Sequence, residues 1–167
     1  ADVLSGEHPN HAWIAANTNP DDVTGTLSEA MRGADVFLGV SAPDVITKAD
    51  VESMAPDSIV FAMANPVPEI DPDIAARHAA VVATGRSDFP NQINNVLVFP
   101  GVFRGLIDSG VSHVDLDVLL AAADALADVV RDDERNATYI IPSVFHPDVS
   151  TVVADAVGAA VAAREGA

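Results

Sequence analysis

Asp35-Val36-Phe37-Leu38-Gly39-Val40-Ser41 is the stretch that decides the fold. It is short, almost continuously apolar, and bounded by Gly33 on one side and Ala42-Pro43 on the other. A run of this kind reads as a parallel strand buried on both faces, because a strand with one wet face would alternate. Upstream, Thr26 caps a short helix over 27–32. Glu29, three residues on, completes a capping box, and Gly33 stops the helix. Downstream, Thr47 caps a second helix over 48–54, and Pro56-Asp57 turns the chain into Ser58-Ile59-Val60-Phe61-Ala62-Met63-Ala64, another buried run. Asp71-Pro72-Asp73-Ile74 opens a third helix with Pro at its first position. Ala79-Ala80-Val81-Val82-Ala83-Thr84 is the third strand. Strands alternating with short helices predict right-handed βαβ units and a parallel, doubly wound α/β sheet.

The second half reads differently. Over 117–130, Leu116, Leu119, Leu120, Ala123, Leu126, Ala127 and Val130 share a helical face, with Asp117, Asp124 and Asp128 opposite. Residues 149–163 repeat the pattern with small side chains. Both are expected to be helices packed on the sheet or on a neighbouring domain. No internal repeat and no flexible linker interrupts the sequence, so the chain reads as one unit.

A chain of 167 residues suits one domain with a real core. Its 49% hydrophobic content excludes disorder despite a net charge of -17. The acidic balance argues against nucleic acid as a partner, since only 8 Lys and Arg residues face 25 Asp and Glu. Two origins fit the surplus of Asp: salt adaptation, or codon usage that favours Asp, Ala, Val and Arg. Charge of this kind sets solubility and not fold. No apolar run approaches the roughly 18 residues of a membrane span. The absence of Cys removes disulfides, thiolate catalysis and Cys-ligated metal centres, and fits a reducing cytoplasm. The first residues lack the basic start and apolar core of a signal peptide. Ala and not Met stands first, so a piece of a longer chain is expected.

Each strand ends in polar or special residues: Ser41-Ala42-Pro43, Asn65-Pro66, and Gly85-Arg86-Ser87-Asp88. Strand ends converging on one edge of a parallel sheet form the crevice in which ligands bind. Ser, Asp, Arg, Gln and three Asn fall within residues 86–95 of the loop after the third strand. Asn65 offers an amide donor and acceptor where its strand stops, and Pro66 restricts it to extended geometry. Asn65-Pro66 can equally serve only as a turn. The pair Asn94-Asn95 before Val96-Leu97-Val98-Phe99 has two readings as well. One Asn caps a helix and the other rides along exposed, or both amides hold a ligand at the helix start. Arg86 and Arg104 could contact an anion, although pairing with neighbouring acids is the default for a surface Arg.

The five His residues (His8, His11, His78, His113, His146) show no helical ligand pair, so no metal site is expected from them. Asp132-Asp133-Glu134 reads as a solvated acidic turn. No nucleophile elbow, phosphate-binding P-loop or GxGxxG motif occurs.

The run 33–41, the run 59–66, the segment 83–105 and Tyr139-Ile140-Ile141-Pro142-Ser143 occur in this order and spacing. Together they resemble the carboxy-terminal NAD(P)-binding domain of bacterial-type malic enzymes, over nearly the whole chain from about Thr18. The resemblance implies a Rossmann-like parallel sheet with flanking helices, incomplete at its N-terminal end and followed by C-terminal helices. It implies that residues 1–167 are part of an enzyme that oxidatively decarboxylates malate to pyruvate and CO2. NAD or NADP would be the cofactor, with Mg or Mn as the divalent ion. By the same resemblance, Asn65, Asn94 and Asn95 line the nicotinamide and malate pocket, and Ser41 edges the cofactor crevice.

The family's catalytic Tyr and Lys lie in an amino-terminal domain without counterpart here, and Lys48 and Tyr139 do not match their positions. Its acidic metal ligands and glycine-rich turn precede the segment in hand. No catalytic residue and no metal ligand is therefore assigned to this chain, which alone is expected to be inactive. The resemblance also implies a dimer in the full-length cytoplasmic enzyme. A malolactic-type 2-hydroxy-acid enzyme and a non-catalytic binding or assembly module are the competing readings. The residue that selects NAD or NADP would fall in or before residues 1–10, so both cofactors stay open. An incomplete sheet should leave an apolar face and an unpaired edge.

Overall fold

A computed structural model describes residues 9–165. Three parallel strands, β1 (Val36–Gly39), β2 (Ile59–Ala62) and β3 (Val81–Thr84), form a sheet in the order β1-β2-β3. Phe37, Val60 and Val82 lie in register, as do Leu38, Phe61 and Ala83. Helix α1 (Pro9–Asn17) precedes the sheet, and α2 (Leu27–Ala30), α3 (Lys48–Glu52) and α4 (Pro72–Ala75) flank it. A 3-10 turn (Asn95–Leu97) leads into α5 (Phe99–Asp108), α6 (Leu116–Asp128) and α7 (Val149–Glu165). The predicted parallel α/β sheet with flanking helices and a helical C-terminal part is thus the observed one.

The short helices begin as their caps require. Thr26 accepts from the Glu29 N–H while its own N–H donates to the Glu29 carboxylate at 2.8 Å. Thr47 and Asp50 make the same reciprocal pair around α3, with the Thr47 N–H donating to Asp50 at 2.7 Å. Gly33 follows α2 at φ 71°, a left-handed conformation that costs glycine nothing. Helix α1 was not foreseen. Its one usable signal is Pro9 at the first helical position. His8 lies outside the described residues.

Two apolar clusters result. On one face of the sheet, Phe37, Val60 and Ala62 pack with Met31, Ile46, Val51, Met54, Ile70 and Ala75. The second cluster joins the C-terminal helices, through Leu106 of α5, Val118 and Ala122 of α6, and Val153, Val157 and Val161 of α7. In α5, Gly101 and Gly105 allow close approach to α7. A Cβ at Gly105 would lie 2.7 Å from the Ala154 carbonyl oxygen and 2.7 Å from the Val157 Cβ.

Two expectations need correcting. The β1 run is not buried on both faces: Val36, Leu38 and Val40 are 53%, 62% and 74% exposed. Only the Phe37 and Gly39 face is covered, because β1 is an edge of the described sheet and nothing described packs over its other side. The buried stripe of α6 is also shifted. Val118 and Ala122 are buried, while Leu116, Leu119 and Leu120 are more than half exposed. Outside the stripe of Asp117, Asp124 and Asp128 the surface of α6 is apolar, so the apolar arc is wider than the stripe that becomes buried. Packing against the valine ridge of α7 selects it.

Candidate functional site

The three strands end along one edge, and backbone bonds carry that alignment into the loops. The Met63 N–H donates to the Gly39 carbonyl at 3.1 Å, extending β2 alongside β1. After β3 the chain turns back on itself. Thr84 donates to the Asn91 carbonyl at 3.4 Å and accepts from the Ile93 N–H at 2.9 Å. Gly85 sits between the end of β2 and this returning segment. A Cβ there would stand 3.8 Å from the Met63 carbonyl oxygen and 3.8 Å from that of Ile93. Asn65 and Asn94 follow those two carbonyls closely in sequence, so the loops that carry them meet beside Gly85.

Asn65 is exposed, and its side chain makes no hydrogen bond among the described residues. The Asn65-Pro66 peptide bond is cis. Asn94 behaves as a cap: its side-chain oxygen accepts from the Val96 N–H at 3.0 Å. It caps the 3-10 turn and not an α-helix, because α5 starts only at Phe99. Pro100 has no N–H to give the Val96 carbonyl, so a helix running from Asn95 onward would be interrupted there. The capping reading therefore describes Asn94, while exposed Asn95 has no side-chain bond among the described residues.

Ser41 is held instead of free. Its N–H donates to the Glu69 carboxyl at 2.8 Å, with its hydroxyl 3.4 Å from the same oxygen. Asn91, like Glu69, is a buried polar residue at this edge. Its amide donates to the carbonyls of Val82 (2.9 Å) and Ala137 (2.8 Å) and accepts from the Ile140 N–H (2.9 Å). Neither Glu69 nor Asn91 was singled out in the sequence. A Glu between Pro68 and Ile70, and an Asn in a loop already rich in Asn, carry no local mark of burial.

The candidate anion contacts are already engaged. Arg86 forks onto Asp88 (Nε to Oδ1 2.8 Å, Nη2 to Oδ2 2.5 Å), and its guanidinium lies 5.1 Å over the Phe89 ring. That fork holds the Asp88 carboxyl below the usual Asp range. Arg104 pairs with Asp108 one turn along α5 at 2.5 Å. Lys48 pairs with Glu52 at 3.2 Å, and the Tyr139 N–H donates to the Asn136 carbonyl at 3.0 Å. His78 meets Glu52 at 3.4 Å, and His113 meets Arg164 at 3.4 Å. Among the described residues no three His, Asp or Glu side chains gather closely enough to hold a metal ion.

A cavity of about 420 Å³ lies between the loop after β3 and the segment 138–145, with Ser87, Gln92, Thr138, Tyr139 and Ser143 in its wall. None of Ser41, Asn65, Asn94 and Asn95 lines it. The strand-end residues instead face an open surface, which is the form of one wall of a crevice. Amides presented on such a wall can donate and accept hydrogen bonds but cannot move protons. Groups of this kind suit binding and orienting a ligand.

Comparison with known proteins agrees with this topology. Residues 7–162 match the family described as "Malic enzyme, NAD binding domain". The chain is 56% identical over 151 residues to an NAD-dependent malic enzyme of Geobacillus stearothermophilus, covering 90% of this chain and 32% of that protein. It is 39% identical over 175 aligned positions to an NADP-dependent malic enzyme of Escherichia coli, covering 95% of this chain and 23% of that one. The crystal structure of malic enzyme from Pyrococcus horikoshii superposes with a TM-score of 0.87 at 42% identity, covering 98% of this chain and 38% of the other. The chain thus spans between 23% and 38% of the length of these three relatives. No described helix is long and apolar enough to cross a membrane. The parallel sheet, its polar strand ends and these matches together make the chain a member of the malic enzyme NAD-binding domain family.

Proposed function

We propose that this chain is the nicotinamide- and malate-facing part of a malic enzyme, which oxidatively decarboxylates malate to pyruvate and CO2. The observation that carries the reading is the pair of exposed amides, Asn65 and Asn95, without side-chain partners among the described residues, at converging strand ends in a chain of this family. When bound, NAD+ or NADP+ would supply a hydride acceptor for C2 of malate. Asn65 presents both a donor and an acceptor, the complement of a nicotinamide carboxamide. The Asn95 amide, and the Asn94 NH2 left by its capping oxygen, donate to a malate carboxylate. Ser41 edges the cofactor crevice. These side chains hold the reacting atoms in line and exclude competing poses.

The residues described here do not fit a divalent ion. Mg2+ or Mn2+ and the general base would accordingly be held by chain outside these residues. The working form is a dimer in the cytoplasm.

Reduced nicotinamide formed with malate tests the reading. The 167 residues alone are expected to bind dinucleotide weakly and to turn over no malate. The longer protein that carries them is expected to oxidise malate. Asn65→Ala and Asn95→Ala in that protein should each raise KM for malate or dinucleotide about tenfold, the worth of one well-aligned hydrogen bond. Turnover by the 167 residues alone would show that the chemistry had been assigned to the wrong part. A longer protein inert toward malate would sink the reading altogether.

A further inference from the structure

Glu69 lies in the loop after β2 and is fully buried. A buried carboxyl group costs free energy unless its oxygens find donors. Both oxygens find them. Oε1 accepts from the Ser41 N–H at 2.8 Å, with the Ser41 hydroxyl at 3.4 Å, and Oε2 accepts from the Ala64 N–H at 2.9 Å. Ser41 lies just past β1, and Ala64 lies just past β2 and directly before Asn65. The backbone tightens the same junction: Ile46 donates to the Glu69 carbonyl at 3.2 Å and Asp44 to that of Pro68 at 3.1 Å. Gly39 makes the room. A Cβ there would sit 2.5 Å from the Glu69 Cδ and 2.6 Å from Oε1.

We infer that Glu69 is a positioning residue of the crevice, whose carboxyl group bridges the ends of β1 and β2 and so sets the spacing between Ser41 and Asn65. The inference rests on the proposed function, which assigns those two strand ends to the ligand. A carboxyl group suits the task because it can present an acceptor to each of two backbone N–H groups. Gln has one acceptor and must turn its NH2 toward the other N–H, so one strand end is released at almost unchanged volume. Asp is one methylene too short to keep both contacts.

The test uses the protein that carries these residues, with NAD+ and NADP+ as probes. Amide exchange and titration calorimetry are the readouts. In the unsubstituted protein the N–H groups of Ser41 and Ala64 should exchange slowly, although Ser41 is exposed. Glu69→Gln should release at least one of them and raise the dinucleotide dissociation constant about tenfold. Far-UV circular dichroism should not change. Gly105→Ala, which crowds the seam between α5 and α7, should lower the melting temperature yet leave that constant within twofold. Binding by Glu69→Gln within twofold of the unsubstituted protein overturns the inference. Fast exchange at both amides in the unsubstituted protein also overturns it, whether or not the variant folds. If the unsubstituted protein binds neither dinucleotide, the proposed function fails and this inference with it; normal binding that ignores Glu69→Gln removes this inference alone.

Discussion

The strand-end region and the C-terminal helical region are joined by opposite means. At the strand ends, two buried polar side chains, Glu69 and Asn91, tie backbone groups from separate segments with directional bonds. In the helical region, α5 and α7 meet through glycines against valines, with no side-chain hydrogen bond tying Gly105 to Val157. Directional bonds specify distances between loops, which a binding wall needs. Close apolar packing specifies only that two helices touch, which a scaffold needs. The contrast explains why loops of such polar composition can still hold a shape.

Asn91→Ala is the strongest way to break the polar half. It leaves two carbonyls and one N–H without partners, and it puts Ala at φ 55° where Asn is tolerated. A loss of about 4 kcal/mol in urea unfolding is expected, from the unmet groups together with the left-handed backbone. Gly105→Ala attacks the apolar half. The added methyl collides with the α7 backbone, and about 2 kcal/mol should be lost. A larger loss from Gly105→Ala than from Asn91→Ala would reverse the ranking of the two halves.

Smaller effects sharpen the picture. Hydrogen bonds from Ser28, and then from Thr47, hold the Asp50 carboxyl below its ordinary value of 3.8. A depressed carboxyl stabilises the fold above its unfolded value, and that contribution disappears as pH falls through the lower folded value. The stability advantage over Asp50→Asn should therefore be constant at neutral pH and shrink as pH drops below 3.8. An advantage that persists at the lowest pH would remove this account. Thr47→Ala should cost about 1 kcal/mol at neutral pH, as loss of a helix cap does. Smallest of all, Asn95→Ala should change stability by less than about 0.5 kcal/mol while weakening ligand binding as proposed above. A large loss of stability would show that Asn95 has a structural partner, like Asn91.

Much of the fold was legible. Apolar runs at 35–41, 58–64 and 79–84 announced the strands, and Thr26, Thr47 and Pro72 announced the helices before and between them. Those features are local, and backbone chemistry reads them locally. The crevice was legible as a set of polar strand ends but not as a structure. Asn91 and Asn94 lie in the same loop, yet one is buried with three bonds and the other caps a short turn. Identical side chains in one loop are separated only by what approaches them from far along the chain. The face of α6 escaped for the related reason that its apolar arc is wider than the stripe that α7 covers.

By itself the sequence determined the order of strands and helices, the parallel α/β class and the edge at which polar groups collect. Each follows from periodicity, caps and turns within a few residues. The tertiary structure alone decided which polar residues became internal ties and which were left facing out. It also decided which stripe of α6 was buried and that one side of β1 stayed open. Burial is a property of pairs of segments, and Asn91 with Ile140, or Glu69 with Ser41, become pairs only when the sheet is assembled.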